Sequence, residues 1–273
     1  MSFTIIGASG FIGGALAARL RAQGNEVFTP ARGSRELLKR PLGHVVYAAG
    51  VTADFRSRPY DTLRAHTTLL AELLEHADFS SMLYLSSARI YRHAEHGRED
   101  AGILVRSEDP EDFYDLTKLT GEALCHASKR TQVRVARLTN VVGPDFDSPN
   151  FLVDLIRAAC DNGRIELRSA PGSAKDYVLL DDVLDMLPRI ALEGRELCYN
   201  LGGGRNLSHA ALLAPILDIT GARLDVLDGA PRIAAPTVDI GRLRRDFGYL
   251  PRDVLPRIAE LVHQYRKRAH AQD

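Results

Sequence analysis

Residues 114–118 read YDLTK and place a phenol and an ammonium four positions apart, at Tyr114 and Lys118. On a helix such a pair shares one face. An ammonium beside a phenol stabilises the phenolate and lowers the tyrosine pKa from about 10, so the phenol can act as an acid or base near neutrality. The chemistry to expect is proton transfer at an oxygen. YLSSARIY adds two hydroxyls, Ser86 and Ser87, at the end of an apolar run. In an open α/β sheet, ligands bind beyond the carboxyl ends of the strands. A hydroxyl there can hold a substrate oxygen while the tyrosine moves the proton. Singly, these features are ordinary: most Tyr-x-x-x-Lys pairs are solvated neighbours, and a serine after a strand commonly caps a turn.

A third element stands at the start of the chain. In TIIGASGFIGGALAARL an apolar run breaks at Gly7, Gly10 and Gly13, then resumes with alanine and leucine. A helix N-terminus offers unpaired N–H groups and a partial positive charge to a diphosphate. Gly7 would permit the tight turn, Gly10 the approach of backbone to phosphate, and Gly13 the packing of helix on strand. The spacing is G-x-x-G-x-x-G rather than G-x-G-x-x-G. A glycine-rich turn between strand and helix remains the alternative.

These residues need elements to position them. SFTII reads as a buried strand, residues 11–23 as a helix stopped by Gly24, EVFTP as a short strand closed by Pro30, and HVVYAAG as another strand. A long helix is expected over about 59–76, a strand at SMLYLSS, a helix over 111–130 and one strand over VRVARLTNVVG. The alternation predicts a doubly wound parallel α/β sheet covered on both faces. Past Gly143 the texture changes to loops, shorter strands and helices, which predicts a small mixed C-terminal lobe. The expected division is residues 1–143 plus about 174–201 for the sheet domain, and about 144–173 plus 202–273 for the lobe. The ligand should lie in the cleft between them.

Composition narrows the partners. Lys plus Arg and Asp plus Glu both total 35, so the formal net charge is zero and no global basic field exists to hold nucleic acid or an anionic membrane. Cys125, Cys160 and Cys198 are widely spaced, with neither metal-ligand spacing nor a disulfide framework. No metal is expected. No apolar run is long enough to span a bilayer, and a cytoplasmic location is expected.

Taken in order, the segments resemble the extended short-chain dehydrogenase/reductase family, the NAD(P)-dependent epimerases, dehydratases and reductases of nucleotide sugars. GASGFIG resembles its cofactor turn, YLSSARIY its serine strand, and YDLTKLTGE its Tyr-Lys helix. RLTNVVGPD, KDYVLLDDV, YNLGGGRNLS and DIGRLRRDFGYLP resemble its later blocks. The resemblance covers nearly the whole chain. It implies Ser87 as the catalytic serine, Tyr114 as the acid/base, and Lys118 as its partner, which also binds the nicotinamide ribose. It implies cofactor contacts at Gly7, Ser9, Gly10, Phe11, Ile12, Gly13, Ala48 and Ala49. Asn140 and Lys175 fall on substrate-side positions, Lys175 near the nucleotide diphosphate.

Four departures qualify this. Only residues 31–43 separate EVFTP from HVVYAAG, too few for the family's third strand with its crossover helix, since a βαβ unit takes about 30 residues. That strand is expected to be lost or reduced. The second strand lacks the acidic residue that binds a ribose 2′-hydroxyl, and Arg32 and Arg35 follow it, which suits a 2′-phosphate and predicts NADP over NAD. His66 stands where the family commonly has an asparagine. Ala88 and Arg89 replace the acidic pair of the family's 4,6-dehydratases, which ranks that activity low. The expectation is reduction of a keto group, at C4, of a nucleotide sugar. The alternatives are an epimerase with tightly bound NAD and a non-catalytic NADP-binding sensor. A homodimer is expected through the helices around 59–76 and 112–130, although leucines such as Leu63, Leu70, Leu73 and Leu74 suit a core equally.

Overall fold

Near the start of the chain, SFTII forms a central strand, β1 (Ser2–Ile6), buried from Phe3 onward, Thr4 included. This computed structural model describes residues 1–270. After β1 come α1 (Phe11–Ala22), β2 (Glu26–Phe28), β3 (His44–Tyr47), α2 (Pro59–Leu63), a π-helical turn (Arg64–Thr68), α3 (Leu69–His76) and β4 (Ser81–Ser87). Next are α4 (Asp112–Ala127), β5 (Val133–Leu138), β6 (Asn140–Val142), α5 (Phe151–Asn162), β7 (Arg164–Leu167), β8 (Ala174–Leu179), α6 (Leu180–Glu193) and β9 (Cys198–Leu201). The chain closes with β10 (Asn206–Ser208), α7 (His209–Thr220), β11 (Arg223–Val226), α8 (Gly241–Phe247) and α9 (Leu255–His270).

Six strands form one parallel sheet in the order β2-β1-β3-β4-β5-β9. The order reverses between β1 and β3, and such a switch point leaves a crevice at the carboxyl ends of the strands. The sheet has an apolar layer on each face. One layer joins Leu16 and Leu20 of α1 to Val183, Leu187 and Ile190 of α6. The other joins Leu70, Leu73 and Leu74 of α3 to Tyr47 and Tyr84. The doubly wound reading therefore holds. The family's third strand, expected to be lost or reduced, is absent among the described residues: β2 is the sheet edge, and only a short 3-10 turn (Arg35–Leu38) precedes β3.

The lobe is built on a three-stranded sheet, β10-β8-β6, and a pair, β11-β7. Its own core gathers Leu152, Ile156, Ile165, Leu212, Ile216, Ile258 and Leu261. Among the described residues no helix is long and apolar enough to cross a membrane.

Two expectations need correction. VRVARLTNVVG is two strands: β5 pairs in the large sheet, while β6, beyond Thr139, pairs with β8 in the lobe. Its Val141 packs on the first core and Val142 on the lobe's core, so this segment couples the two layers. The expected helix over 59–76 contains the π turn. A π turn widens the helix and weakens its hydrogen-bond ladder; here the tyrosines of β3 and β4 take up the carbonyls, Tyr47 Oη donating to Ala65 O at 2.7 Å and Tyr84 Oη to His66 O at 3.2 Å. Gly121 of α4 lets that helix close on the turn, since a Cβ there would stand 2.9 Å from His66 O. Of the four leucines named above, Leu70, Leu73 and Leu74 are core, and Leu63 is exposed.

Candidate active site

The glycine turn follows β1. Gly10 is the N-cap of α1 in an extended conformation, with no side-chain cap and no acidic residue in the first turn, so the helix N-terminus is left for an outside acceptor. Gly7 has φ of 89°, and a Cβ on it would lie 2.6 Å from Ala49 N. A Cβ on Gly13 would lie 2.4 Å from Gly7 O. These glycines let three segments meet: the end of β1, the start of α1, and Ala48–Ala49 beyond β3. Ser9 and Gly10 are exposed, Phe11 and Ile12 half-buried. Arg32 and Arg35 are exposed beyond β2. The carboxyl of Asp61, on α2, is lowered chiefly by its hydrogen bond from Arg58 and, more weakly, by the field of Arg32.

Helix α4 brings Tyr114 and Lys118 to the same crevice. Both are buried. The Ser87 hydroxyl, at the end of β4, accepts from Arg89 N at 3.2 Å and pulls the pKa of the Tyr114 phenol downward. Lys118 Nζ donates to Leu85 O at 2.9 Å. The spacing in YDLTK thus yields one buried face, and the three groups converge.

The electrostatics differ from the sequence expectation. Burial pushes the Tyr114 phenol up to about 12, and the Ser87 hydroxyl and Arg89 guanidinium only partly oppose it. Lys118 is not the cation that governs it. Burial brings the Lys118 ammonium down to about 7, with Glu122 pulling the other way. Desolvation disfavours any charged form, and neither an isolated helix face nor a spacing rule carries that information.

Sequence reasoning missed the cover over Tyr114. Phe55, from the loop after β3, packs on the Tyr114 ring at 5.4 Å between centroids. The Arg89 guanidinium stands 5.5 Å from the Tyr114 centroid and 5.1 Å from that of Phe55. Glu111 ties the cover down: it accepts from Arg89 at 3.0 Å and from Arg56 at 2.5 Å. Its carboxyl is held below the usual range by the Arg56 hydrogen bond. These contacts join residues far apart in sequence, so no local pattern announces them.

Asn140 and Lys175 lie on the lobe side. Asn140 is exposed, and its Nδ2 donates to Asp176 O at 2.8 Å. Lys175 is half-buried on β8, and its pKa is lowered by burial and then by Arg89. His93, Asp109 and Asp112 offer ligand atoms within 4.8 Å of one another. Arg92 already supplies a cation there, pairing with Asp112 and lying 3.8 Å from Asp109.

With this geometry in hand, three comparisons bear on it. Residues 3–202 match the model of the NAD dependent epimerase/dehydratase family. Among curated proteins, the chain is 27% identical over 209 residues to a dTDP-glucose 4,6-dehydratase of Streptomyces griseus, covering 73% of this chain and 62% of that protein. The match thus spans less than two thirds of that relative's length. MoeE5 in complex with UDP-glucose and NAD aligns with a TM-score of 0.82 at 22% identity, covering 98% of this chain and 100% of that one. RMD from Pseudomonas aeruginosa complexed with NADPH aligns with a TM-score of 0.77 at 20% identity, covering 98% and 100%. At these identities the solved structures share the fold.

Proposed function

Because the chain belongs to the NAD dependent epimerase/dehydratase family, we propose that it reduces a keto group, at C4, of a nucleotide sugar with NADPH. The observation that carries this reading is the meeting of Ser87, Tyr114 and Lys118 beside the Gly7–Gly13 turn. The uncapped α1 N-terminus and the glycine cradle fit a dinucleotide diphosphate, with Ser9, Phe11, Ile12, Ala48 and Ala49 around it. Arg32 and Arg35 would take the 2′-phosphate, where a planar guanidinium binds through two donors. The cofactor, when bound, supplies the hydride.

The residues do the rest. Ser87 hydrogen-bonds the carbonyl oxygen and polarises it. Tyr114 donates its phenolic proton to that oxygen as the carbonyl carbon gains hydride. A phenol whose pKa is about 12 is protonated at neutral pH, the state that an acid needs. Lys118 stabilises the phenolate left behind and holds the ribose next to the nicotinamide. Lys175 and Asn140 would meet the nucleotide sugar from the lobe. Solved neighbours are described with UDP-glucose and with NADPH, which supports the substrate class and the cofactor pair. The chain is also proposed to dimerise through the helices around 59–76 and 112–130.

The same three residues would serve an epimerase, which first oxidises its substrate with retained NAD. The test is to denature the purified protein and identify any released nucleotide, then titrate NADPH and NADH. Protein that is empty and binds NADPH at least tenfold tighter than NADH, with Arg32→Ala erasing most of that preference, supports the reductase. Stoichiometric NAD points to the epimerase. Failure to bind either nucleotide means that the lost strand has cost the protein its cofactor, and removes the catalytic reading.

A further inference from the structure

His66 is fully buried, and the catalytic steps above do not use it. It stands on the π turn, and its ring packs edge-on to Tyr114 at 5.2 Å. Its Nδ1 lies 2.8 Å from Thr117 Oγ1. Thr117 Oγ1 in turn donates to Tyr114 O at 2.8 Å. A hydroxyl carries one hydrogen. With that hydrogen given to the carbonyl, Thr117 Oγ1 accepts from His66, so Nδ1 carries the imidazole proton and Nε2 is a bare lone pair. Burial pushes the imidazole pKa down to about 2, and the Lys118 charge adds to it, so the ring is neutral.

Nε2 has no hydrogen-bond partner. A buried acceptor left without a donor costs about 1–3 kcal/mol, and such an exception in a native fold calls for an explanation. The residue that covers the atom is Gly50, which has no side chain. A Cβ on Gly50 would stand 3.1 Å from His66 Nε2 and 3.5 Å from Lys118 Nζ. Gly50 itself is exposed. The two nitrogens therefore meet in one small niche beside Gly50, at the carboxyl end of β3. In the sheet, β3 lies between β1, which leads to the Gly7 turn, and β4, which ends at Ser87. A dinucleotide with its diphosphate at α1 and its nicotinamide at Ser87 must carry its second ribose across the end of β3.

We propose that His66 is a positioning residue for the cofactor: its bare Nε2 accepts a hydrogen bond from a ribose hydroxyl lodged beside Gly50, while the Lys118 ammonium donates to the same hydroxyl. The inference rests on the dinucleotide reading given above. Thr117 sets the tautomer, the π turn brings the ring inward, and Gly50 leaves room for the hydroxyl. The niche selects a group that donates and accepts at once, which a hydroxyl does and an ammonium or a carboxylate does not.

Two measurements test it. In 15N-labelled protein the imidazole resonances should show Nδ1 protonated and Nε2 bare, and the Nε2 resonance should move upfield on addition of NADPH but not of ADP. Titrations should show His66→Leu and Gly50→Ala each weakening NADPH on the order of tenfold, with ADP binding unchanged. His66→Gln, which restores an acceptor carbonyl, should recover part of the loss. An Nε2-protonated ring, or NADPH binding of wild-type strength in Gly50→Ala and His66→Leu, overturns the proposal. Equal losses for NADPH and ADP in both variants assign His66 a purely structural role and overturn it as well. If wild-type protein binds no dinucleotide, the cofactor reading itself has failed, which is a distinct outcome.

Discussion

Two turns of α4 treat buried charge in opposite ways. Lys118 is buried with one neutral acceptor, Leu85 O. One turn on, Glu122 is equally buried but forked by Arg137, with contacts of 2.7, 3.0 and 3.2 Å. Arg137 also donates to Tyr91 Oη at 2.6 Å, and Tyr91 Oη to Asn200 Oδ1 at 2.8 Å. Asn200 Nδ2 then reaches the carbonyls of Gly97 and Asp239, both at 2.9 Å. That half of the helix is a closed network joining β5, α4 and β9. The other half is open: Lys118 has donors to spare, and His66 Nε2 and Ser86 Oγ have no partner. A satisfied buried charge is scaffold, and an under-satisfied one is a place prepared for a ligand.

The largest break in this contrast is at the open end. Tyr114→Phe should lower turnover by about 10²–10⁴-fold, the usual contribution of a positioned acid, in assays following NADPH absorbance. NADPH affinity and thermal stability should hold, because phenylalanine keeps the ring that packs on Phe55 and His66. A variant that keeps its activity removes Tyr114 from the chemistry.

At the closed end, Glu122→Gln leaves Arg137 buried without its counter-charge and should cost about 3–5 kcal/mol of stability in urea unfolding. Replacing both partners with apolar residues, Glu122→Leu with Arg137→Met, should recover most of that loss. If the single variant costs under about 1 kcal/mol, the network is not the scaffold described here.

The smallest effect has the opposite sign. Lys118→Met should stabilise the ligand-free protein by about 1 kcal/mol at neutral pH, since it removes a desolvated charge. The pH dependence follows from the depressed lysine. Its folded pKa is about 7 against 10.5 for the free side chain, so the unfolded chain holds the proton more tightly. Wild-type stability should therefore rise as pH climbs from about 7 to about 8.5, and Lys118→Met should flatten that rise. A wild-type curve that falls over this window contradicts the burial of an unpaired Lys118. Burial raises the Cys125 and Cys198 thiols and the Tyr114 phenol to about 12, so they lower stability chiefly above about pH 9, beyond this window.

Much of this molecule is legible locally. Turn glycines, strand runs and helix periodicity are properties of short windows, which is why β1, α1, β3, β4 and α4 fall where the residue pattern places them. The short gap before His44 excludes a strand on length alone, and β2 is indeed the sheet edge. The π turn left no such trace, because nothing in PYDTLRAHTTLLAELLEH distinguishes it from a plain helix. Its existence depends on Tyr47 and Tyr84, which arrive from other strands to take its carbonyls. Phe55 and Arg89 over Tyr114 are likewise products of loops folding back.

The sequence by itself determined the parallel sheet, the glycine turn and the side-by-side Tyr114 and Lys118, because each depends on spacing along one chain segment. Only the tertiary structure decided the state of those groups. Burial, not the neighbouring lysine, sets the Tyr114 phenol, and the same burial discharges Lys118 toward neutrality. Desolvation and hydrogen-bond saturation depend on every segment that closes around a group, and so they exist only once the chain is folded.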